Sequence, residues 1–127
     1  MDFLLDTHTL LWTILDDKNL SLRAKTQISD TTNTCYYSAC SLWEITIKYS
    51  LGALDIVTSL DDCFNIISNT GLIELPLRKD HFMVLSTLPF HHKDPFDRLL
   101  IAQAIADSLK LVTKDSMITK YDVATFW

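Results

Sequence analysis

Four acidic residues of this 127-residue chain are spaced so that they could bind one divalent cation. Asp6 follows the apolar segment FLL and Asp115 follows LVTK, so each of them closes a predicted strand. Glu44 and Asp97 fall in the predicted first turns of two helices. Because the carboxyl ends of parallel strands meet at one edge of a sheet, and helices can return across that edge, we expect the four carboxylates to cluster.

Such a cluster predicts a hard metal ion. Two carboxylates about 4 Å apart repel each other by about 4 kcal/mol at an effective dielectric constant of about 20, so a cation, a proton or an arginine must offset the charge. Ligands that are all oxygen atoms favour Mg²⁺ or Mn²⁺ over Zn²⁺. An ion of this kind polarises a phosphate and activates a bound water, so the sequence predicts phosphodiester hydrolysis.

The elements that must position the acids alternate between strands and helices. We predict strands at 3–6, 34–39, 72–77, 111–115 and 123–127. We predict helices at 9–17, 21–30, 41–52, 59–71, 79–88, 95–110 and 116–121. This alternation is typical of an α/β protein whose central, mainly parallel sheet is covered by helices on both faces.

The composition indicates one compact domain, residues 1–127, with a buried core. Hydrophobic residues make up 48% of the chain, whereas there are only two glycines and three prolines, which is unlike a disordered chain. The apolar runs are too short to span a bilayer, and the N-terminal MDFLLD does not resemble a signal peptide, so we expect a cytoplasmic protein without a membrane partner. Cys35, Cys40 and Cys63 lack metal-ligand spacing, and we interpret them as reduced core thiols.

The net charge of −5 excludes a protein that coats nucleic acid through a general positive field. Any contact with nucleic acid must therefore be local. Lys48, Lys93, Arg98 and Lys114 adjoin the acids in the sequence and could supply a cationic rim, although each could equally be a solvated surface charge. Arg98 could also pair with a neighbouring acid and share the charge of the site.

Four motifs cover nearly the whole chain. They are LLDTHTLLW at 4–12, SLWEITIK at 41–48, DPFDRLLIAQA at 94–104 and LVTKD at 111–115. In this order and spacing they resemble the PIN-domain ribonucleases and, among these, the VapC-type toxins of bacterial toxin–antitoxin pairs. The resemblance implies a three-layer α/β/α PIN-like fold.

The resemblance also implies a role for each acid. Asp6 and Asp97 would be the main metal ligands and Glu44 would complete an acidic triad. Asp115 would be a fourth acid that acts through water or a second ion. Supporting roles fall to Asp94 and to three further residues of these segments, Thr7, Lys48 and Arg98. The family further implies Mg²⁺-dependent cleavage of an RNA substrate, homodimerisation and inhibition by a cognate antitoxin protein.

Each acid also has a structural interpretation. Glu44 lies three residues after Ser41, the spacing of a capping box, and four residues before Lys48, the spacing of a surface ion pair. Asp97 could simply complement a helix N-terminus, and Asp115 could cap the short helix that follows it. Asp6 is harder to explain in this way, because an acid that ends a buried strand needs a partner.

The remaining histidines and tryptophans have weaker functional interpretations. His91 and His92 lack a third histidine or cysteine at ligand spacing, so we expect them to line the groove or face solvent. His8 could contact substrate, but packing is the preferred interpretation. For the tryptophans at 12, 43 and 127, stacking on bases is possible and burial is preferred.

Two rival functions follow from the same acids. A haloacid-dehalogenase-like phosphotransferase would need an acid two residues after Asp6, where this chain has His8, and a response-regulator receiver would need a phosphoacceptor aspartate after the third strand. The second rival is a non-catalytic PIN-like module that binds RNA or protein. All four acids are present, which favours the enzyme.

Overall fold

A single parallel sheet organises the protein in its computed structural model, which describes residues 1–54, 56 and 58–127. Its strands are β1 (Asp2–Leu5), β2 (Thr34–Ser38), β3 (Ile73–Leu75), β4 (Lys110–Val112) and β5 (Thr125–Phe126). Their order across the sheet is β3-β2-β1-β4-β5, and every described pairing is parallel. The predicted mainly parallel sheet is thus confirmed, with β1 at its centre.

Helices cover both faces of the sheet. They are α1 (Thr7–Leu15), α2 (Leu22–Ser29), α3 (Ala39–Ser50), α4 (Leu60–Ser68), α5 (Lys79–Leu85) and α6 (Pro95–Ala106), followed by one 3-10 turn at Ile118–Lys120. Successive side chains of a strand point to opposite faces. Phe3 and Leu5 accordingly pack with Leu10 of α1 in one apolar cluster, whereas Leu4 packs with Leu100 of α6 in the other. The α/β/α architecture is confirmed.

The starts of the helices depend on short polar side chains. Ser21 and Ser59 accept hydrogen bonds from backbone N–H groups of Ala24 and Asp62, as expected of helix caps. Helix α3, however, begins at Ala39 because the Ser38 hydroxyl accepts the hydrogen bond from the Cys40 N–H. The predicted start at Ser41 is therefore wrong.

The early start of α3 moves Glu44 from the predicted first turn into the second turn. The capping box with Ser41, the structural alternative for Glu44, is therefore ruled out, because Ser38 is the N-cap. The predicted ion pair with Lys48 is present, since Glu44 Oε2 lies 2.7 Å from Lys48 Nζ.

Several elements end earlier than predicted. Helix α6 stops at Ala106 because Ser108 adopts a left-handed conformation (φ 54°) and the Leu109 N–H bonds back to the Ala104 carbonyl, which turns the chain into β4. Gly52, at φ 68°, follows α3 as predicted. The cysteines are free and buried. Among the described residues, no helix is both long and apolar enough to cross a membrane.

Candidate metal centre

Asp6 connects the central strand to helix α1 and is not the last residue of the strand. It is the N-cap of α1, where its Oδ1 accepts a hydrogen bond of 2.8 Å from the Thr9 N–H, and its own N–H donates to the Val112 carbonyl at the end of β4. Only 5% of the residue is exposed. Burial raises the pKa of the Asp6 carboxyl above 3.8, against hydrogen bonds from Thr113 and Thr9 that lower it.

Asp94 and Asp97 lie together at the start of α6. Asp94 caps the helix, since its Oδ1 accepts hydrogen bonds from the N–H groups of Phe96 (2.9 Å) and Asp97 (3.1 Å). Asp97 occupies the first turn, as predicted. Burial, followed by the negative charges of Asp94, Asp6 and Asp115, raises the pKa of Asp97 to about 6, against a hydrogen bond from His92 that lowers it. Four carboxylates therefore lie close enough to influence one another.

Glu44 brings a carboxylate from α3 into the same region. It is 5% exposed. Its Oε2 pairs with Lys48, whereas Oε1 is buried and has no hydrogen-bond partner among the described residues. A buried carboxylate oxygen without a partner costs free energy, because it has lost its hydration and gained nothing in exchange. A cation at this oxygen would remove that cost.

The predicted site residues converge on one small cavity. Its volume is about 110 Å³, and its lining residues are Asp6, Thr7, His8, Glu44, Lys48, Asp94, Asp97 and Asp115. All four predicted acids are among them, together with three of the four residues given supporting roles. The donor set consists of carboxylate oxygens beside a threonine hydroxyl, which fits Mg²⁺ or Mn²⁺. The roles of the individual acids stay predictions.

A tighter cluster of possible metal ligands lies elsewhere. Among the described residues, three ligand atoms within 4.8 Å of one another occur in Asp80, His81 and Asp107. Arg78 pairs with both of these acids, and His81 contacts Asp107 through Nε2 at 3.1 Å while its Nδ1 accepts from the Arg78 N–H. The acids are thus neutralised by protein groups, and the cluster joins α5 to the end of α6.

The carboxylates of the cavity are more widely spaced than that cluster. In the described part of the chain, no three of them bring ligand atoms within 4.8 Å of one another. Mg²⁺ commonly retains several waters and binds only one or two carboxylates directly. The wider spacing suits an ion that is held partly through water.

His92 connects the acidic cavity to a buried tyrosine. Its Nε2 lies 3.3 Å from Asp97 Oδ2, and its Nδ1 lies 2.8 Å from Tyr121 Oη. The tyrosine oxygen also accepts hydrogen bonds from Arg98 Nη1 (3.1 Å) and from the His92 N–H (3.3 Å), and its hydroxyl lies within donating distance of the His92 carbonyl (3.4 Å) as well as of Nδ1. His92 thereby connects Asp97 to Tyr121 through its two ring nitrogens. The sequence offered no signal for this chain of contacts.

Among the described residues, Arg98 forms no ion pair with an acid, which corrects the expectation that it pairs with a neighbouring one. It is 5% exposed and donates to the carbonyls of Pro89 (2.7 Å) and Leu88 (3.3 Å), while the ring of Phe90 covers its guanidinium at 3.9 Å. Successive residues of a helix point about 100° apart, so Arg98 faces away from the side that Asp97 occupies. Its support is indirect, because it fixes the loop that carries His92.

Three further side chains differ from or refine the expectations. Trp43 is 55% exposed and meets Phe96 edge-on, so its predicted burial is wrong. His8 is exposed and stacks on Trp12, with ring centroids 5.6 Å apart. Thr7 donates a buried hydrogen bond of 2.9 Å to Ser41, which joins α1 to α3 beside the cavity. The two helices that carry Asp6 and Glu44 are thereby held together.

The family model of the PIN domain matches residues 3–124. The comparison with curated protein sequences found no match.

Solved structures resemble the chain in fold at low sequence identity. A chain of VapBC2 from Rickettsia felis, bound to a DNA fragment from their promoter, gives a TM-score of 0.76 at 16% identity, with 99% of this chain and 98% of that chain covered. VapBC-1 from nontypeable Haemophilus influenzae gives 0.69 at 14% identity, with coverages of 99% and 97%. VapBC-5 from Mycobacterium tuberculosis, a member of a family of toxin-antitoxin systems, gives 0.56 at 16% identity, with coverages of 94% and 89%.

Proposed function

The chain belongs to the PIN domain family, and from this premise we propose that it is a metal-dependent endoribonuclease, the VapC-type toxin of a toxin–antitoxin pair. One observation carries the proposal. The buried Glu44 Oε1 has no partner among the described residues, yet it belongs to a cavity lined by three further predicted ligand acids. A divalent cation is the group that satisfies such a set.

Mg²⁺ or Mn²⁺ is the proposed cofactor. Asp6 and Asp97 would hold the ion, Glu44 would add a third carboxylate, and Asp115 would act through a water or a second ion. When bound, the ion would polarise the substrate phosphate and lower the pKa of a bound water. The proposed reaction joins the water oxygen to the phosphorus atom while the bond to the leaving oxygen breaks.

The protein's own residues prepare this site. The Thr9 N–H fixes the carboxylate of Asp6, the Asp94 cap fixes the backbone of Asp97, and His92 contacts the Asp97 carboxylate. Asp115 is proposed to orient the attacking water and to receive its proton. Lys48 keeps 38% of its side chain exposed beside Glu44, so its ammonium group can also meet a substrate phosphate.

Three partners belong to the proposal: an RNA substrate, a cognate antitoxin and a second copy of the chain in a homodimer, all in the cytoplasm. The fold shared with toxin-antitoxin structures supports the antitoxin. The net charge of −5 argues against a general positive field, so contact with RNA is proposed to be local, at the cavity that Lys48 lines. Light scattering of the purified chain tests the dimer directly, and a monomer at working concentration would contradict it.

RNA cleavage by antitoxin-free protein tests the enzymatic proposal. We expect cleavage of a mixed substrate of tRNA, rRNA and mRNA with Mg²⁺ or Mn²⁺, and loss of cleavage with EDTA or in Asp6→Asn and Glu44→Gln. Asp61→Asn is the matched control, because Asp61 is an exposed acid in the first turn of α4. Full cleavage by Asp6→Asn would refute the assignment.

The same experiment separates the enzyme from the binding module. Protein that binds Mn²⁺ and RNA but cleaves none of the three RNA classes would favour the non-catalytic PIN-like module. Antitoxin-free protein that binds neither would refute both.

A further inference from the structure

We propose that a second cavity, lined by the rings of His8 and Trp12 and by the Lys114 side chain, binds one unpaired nucleobase next to the cleaved phosphate. The inference rests on the proposed function, since it assigns part of the RNA to a defined position. This cavity, named the base cavity below, measures about 400 Å³, and its lining residues are Asp6, His8, Trp12, Lys114, Asp115 and Ser116. Its volume lies within the range of about 300–1,000 Å³ typical of small-ligand sites.

The base cavity continues directly from the acidic one. Asp6, His8 and Asp115 line both cavities. If the cleaved phosphate lies among the acids, the base of that nucleotide or of the adjacent nucleotide can therefore reach the base cavity. Among the described residues that line the acidic cavity, His8 has the only aromatic ring, and this ring is shared with the base cavity, which adds the larger indole of Trp12.

Trp12 supplies a fixed aromatic surface. It is half-buried in α1, and His8, one turn earlier, stacks on it with an interplanar angle of 19°. Trp127 meets the indole ring edge-on, with centroids 5.8 Å apart and an angle of 63°. Because these two contacts restrict the ring, the stack needs little rearrangement to receive a base, and exposed His8 offers a further aromatic face.

Lys114 adds the charge that a nucleotide needs. Its exposed side chain places Nζ 6.0 Å from the centre of the Trp12 ring. A lysine side chain is long and flexible, so it can move off the indole face when a base stacks there and turn toward an adjacent phosphate. Ser116 contributes a hydroxyl that can donate to or accept from a base edge.

The chemistry of this surface favours single-stranded RNA over a duplex. Aromatic rings beside a cation are the combination by which proteins bind single strands, because every base has a face that can stack. A base can reach the His8–Trp12 stack only when it is unpaired and turned out of its own helix. The substrate is therefore a loop or another single-stranded segment.

A double-mutant cycle between the protein and the RNA tests the proposal. The probes are a short single-stranded RNA that the protein cleaves and analogues of it that each carry one abasic nucleotide. Trp12→Leu should weaken binding and raise KM about 5- to 100-fold with a smaller change in kcat. An abasic nucleotide at one position beside the cleaved phosphate should cause a similar loss in the wild-type protein, and the two changes together should cost little more than either alone.

Two controls belong to the cycle. Trp12→Phe keeps an aromatic face and should restore most of the affinity, whereas Trp43→Leu, which removes a 55% exposed tryptophan outside the base cavity, should leave it unchanged. Unfolding curves of each variant verify that it folds. If Trp12→Leu fails to fold, the abasic series in wild-type protein decides the matter, because equal binding of all analogues would overturn the proposal.

The outcomes distinguish this inference from the proposed function. Wild-type protein that binds Mn²⁺ and neither binds nor cleaves RNA would refute the function and the base cavity together. Wild-type protein that cleaves RNA, with Trp12→Leu equally active and equally tight in binding, would refute the base cavity alone. Additive losses in the cycle would also overturn it, because the ring and the base would then not be in contact.

Discussion

The Nε2 atom of His92 lies 3.3 Å from Oδ2 of Asp97, and the other nitrogen of the same ring lies against Tyr121. This arrangement holds Oδ2 of Asp97 in place, whereas Oδ1 accepts no hydrogen bond from the described residues. Because hydrogen bonds of this kind orient metal ligands, we infer that His92 is a positioning residue for Asp97.

Replacing His92 should weaken metal binding without removing a ligand. We expect His92→Leu to lower the affinity for Mn²⁺ about 10- to 100-fold, and His92→Gln, whose amide can still donate to Asp97, to restore part of it. Titration of Mn²⁺ followed by electron paramagnetic resonance measures both. His91→Leu is the neighbouring control, and an equal loss in that variant would contradict a specific role for His92.

Arg98 should be needed for the stability of the fold. Its guanidinium is buried and donates to two carbonyls and a phenol, so Arg98→Met would remove all three hydrogen bonds and leave the carbonyls of Pro89 and Leu88 without this donor. We expect a loss of about 2–4 kcal/mol in the free energy of unfolding, measured with urea. Lys18→Met, at an exposed position, should change it by less than about 0.5 kcal/mol. Comparable stabilities for the two variants would contradict the buried role.

The fold was largely predictable from local patterns. Apolar runs closed by polar caps at Ser21 and Ser59 marked the elements, and their alternation required a parallel sheet. That topology, with the four motifs, brought the acids of separate segments to one edge. The exact start of α3 was not predictable, because Ser38 and Ser41 are equally suited to capping and only the packing of the folded chain selects the first.

The surroundings of the acids were less predictable than the acids themselves. The sequence places Arg98 next to Asp97, yet the helical rotation between them sends their side chains to different environments. The contact between His92 and Tyr121 joins residues separated by 29 positions and depends on the packing of Tyr121 in the same apolar cluster as α6. Trp43 is exposed although its residue type favours burial, because α3 presents that position outward.

Removing the charge of Asp97 should stabilise the metal-free protein at neutral pH. The pKa of this carboxyl is raised from 3.8 to about 6, so its ionised form is disfavoured in the folded state. The stability that the protonated Asp97 carboxyl contributes to the folded state is fully present below about pH 4 and is lost as the pH rises through about 6. We expect Asp97→Asn to gain about 1–2 kcal/mol over the wild type at pH 7.5, after allowance for solvent screening, and nothing at pH 3.5.

Urea unfolding in EDTA at the two pH values measures this difference. Asp61→Asn, which changes an exposed first-turn aspartate, is the control and should differ little from the wild type at either pH. A wild type that is more stable than Asp97→Asn at pH 7.5 without metal would show that the Asp97 charge is favourable there.

Metal affinity should rise with pH through the same range. The ion competes with the proton for the carboxylates, and the pKa of Asp97 is about 6, so binding at pH 5 must displace a proton that is absent at pH 7.5. We expect the affinity for Mn²⁺ to increase about 10-fold between these values, with proton release at the lower pH. Calorimetry in two buffers of different ionisation enthalpy measures the released proton. Release that does not fall as the pH rises would contradict the linkage.

Lys48 should substitute for part of the cation's charge beside Glu44. The pair is half-buried, with Lys48 Nζ 2.7 Å from Glu44 Oε2 and side-chain exposures of 38% and 6%. Lys48→Met would leave both carboxylate oxygens without a positive partner, and we expect a loss of about 1–3 kcal/mol in the free energy of unfolding of the metal-free protein. Saturating Mn²⁺ should increase the stability of this variant more than that of the wild type, because the ion then offsets a Glu44 charge that no lysine neutralises.

The matched control is Lys25→Met, which removes an ion pair of similar length, 2.8 Å to Asp16, at an exposed position. Exposed pairs contribute about 0–1 kcal/mol, so this variant should lose little and should gain no additional stabilisation from Mn²⁺. The double variant Glu44→Gln with Lys48→Met should lose less than Lys48→Met alone, because the unpaired charge is gone. If Lys48→Met behaves like Lys25→Met both in its loss of stability and in its response to Mn²⁺, the buried charge of Glu44 is not what the lysine offsets.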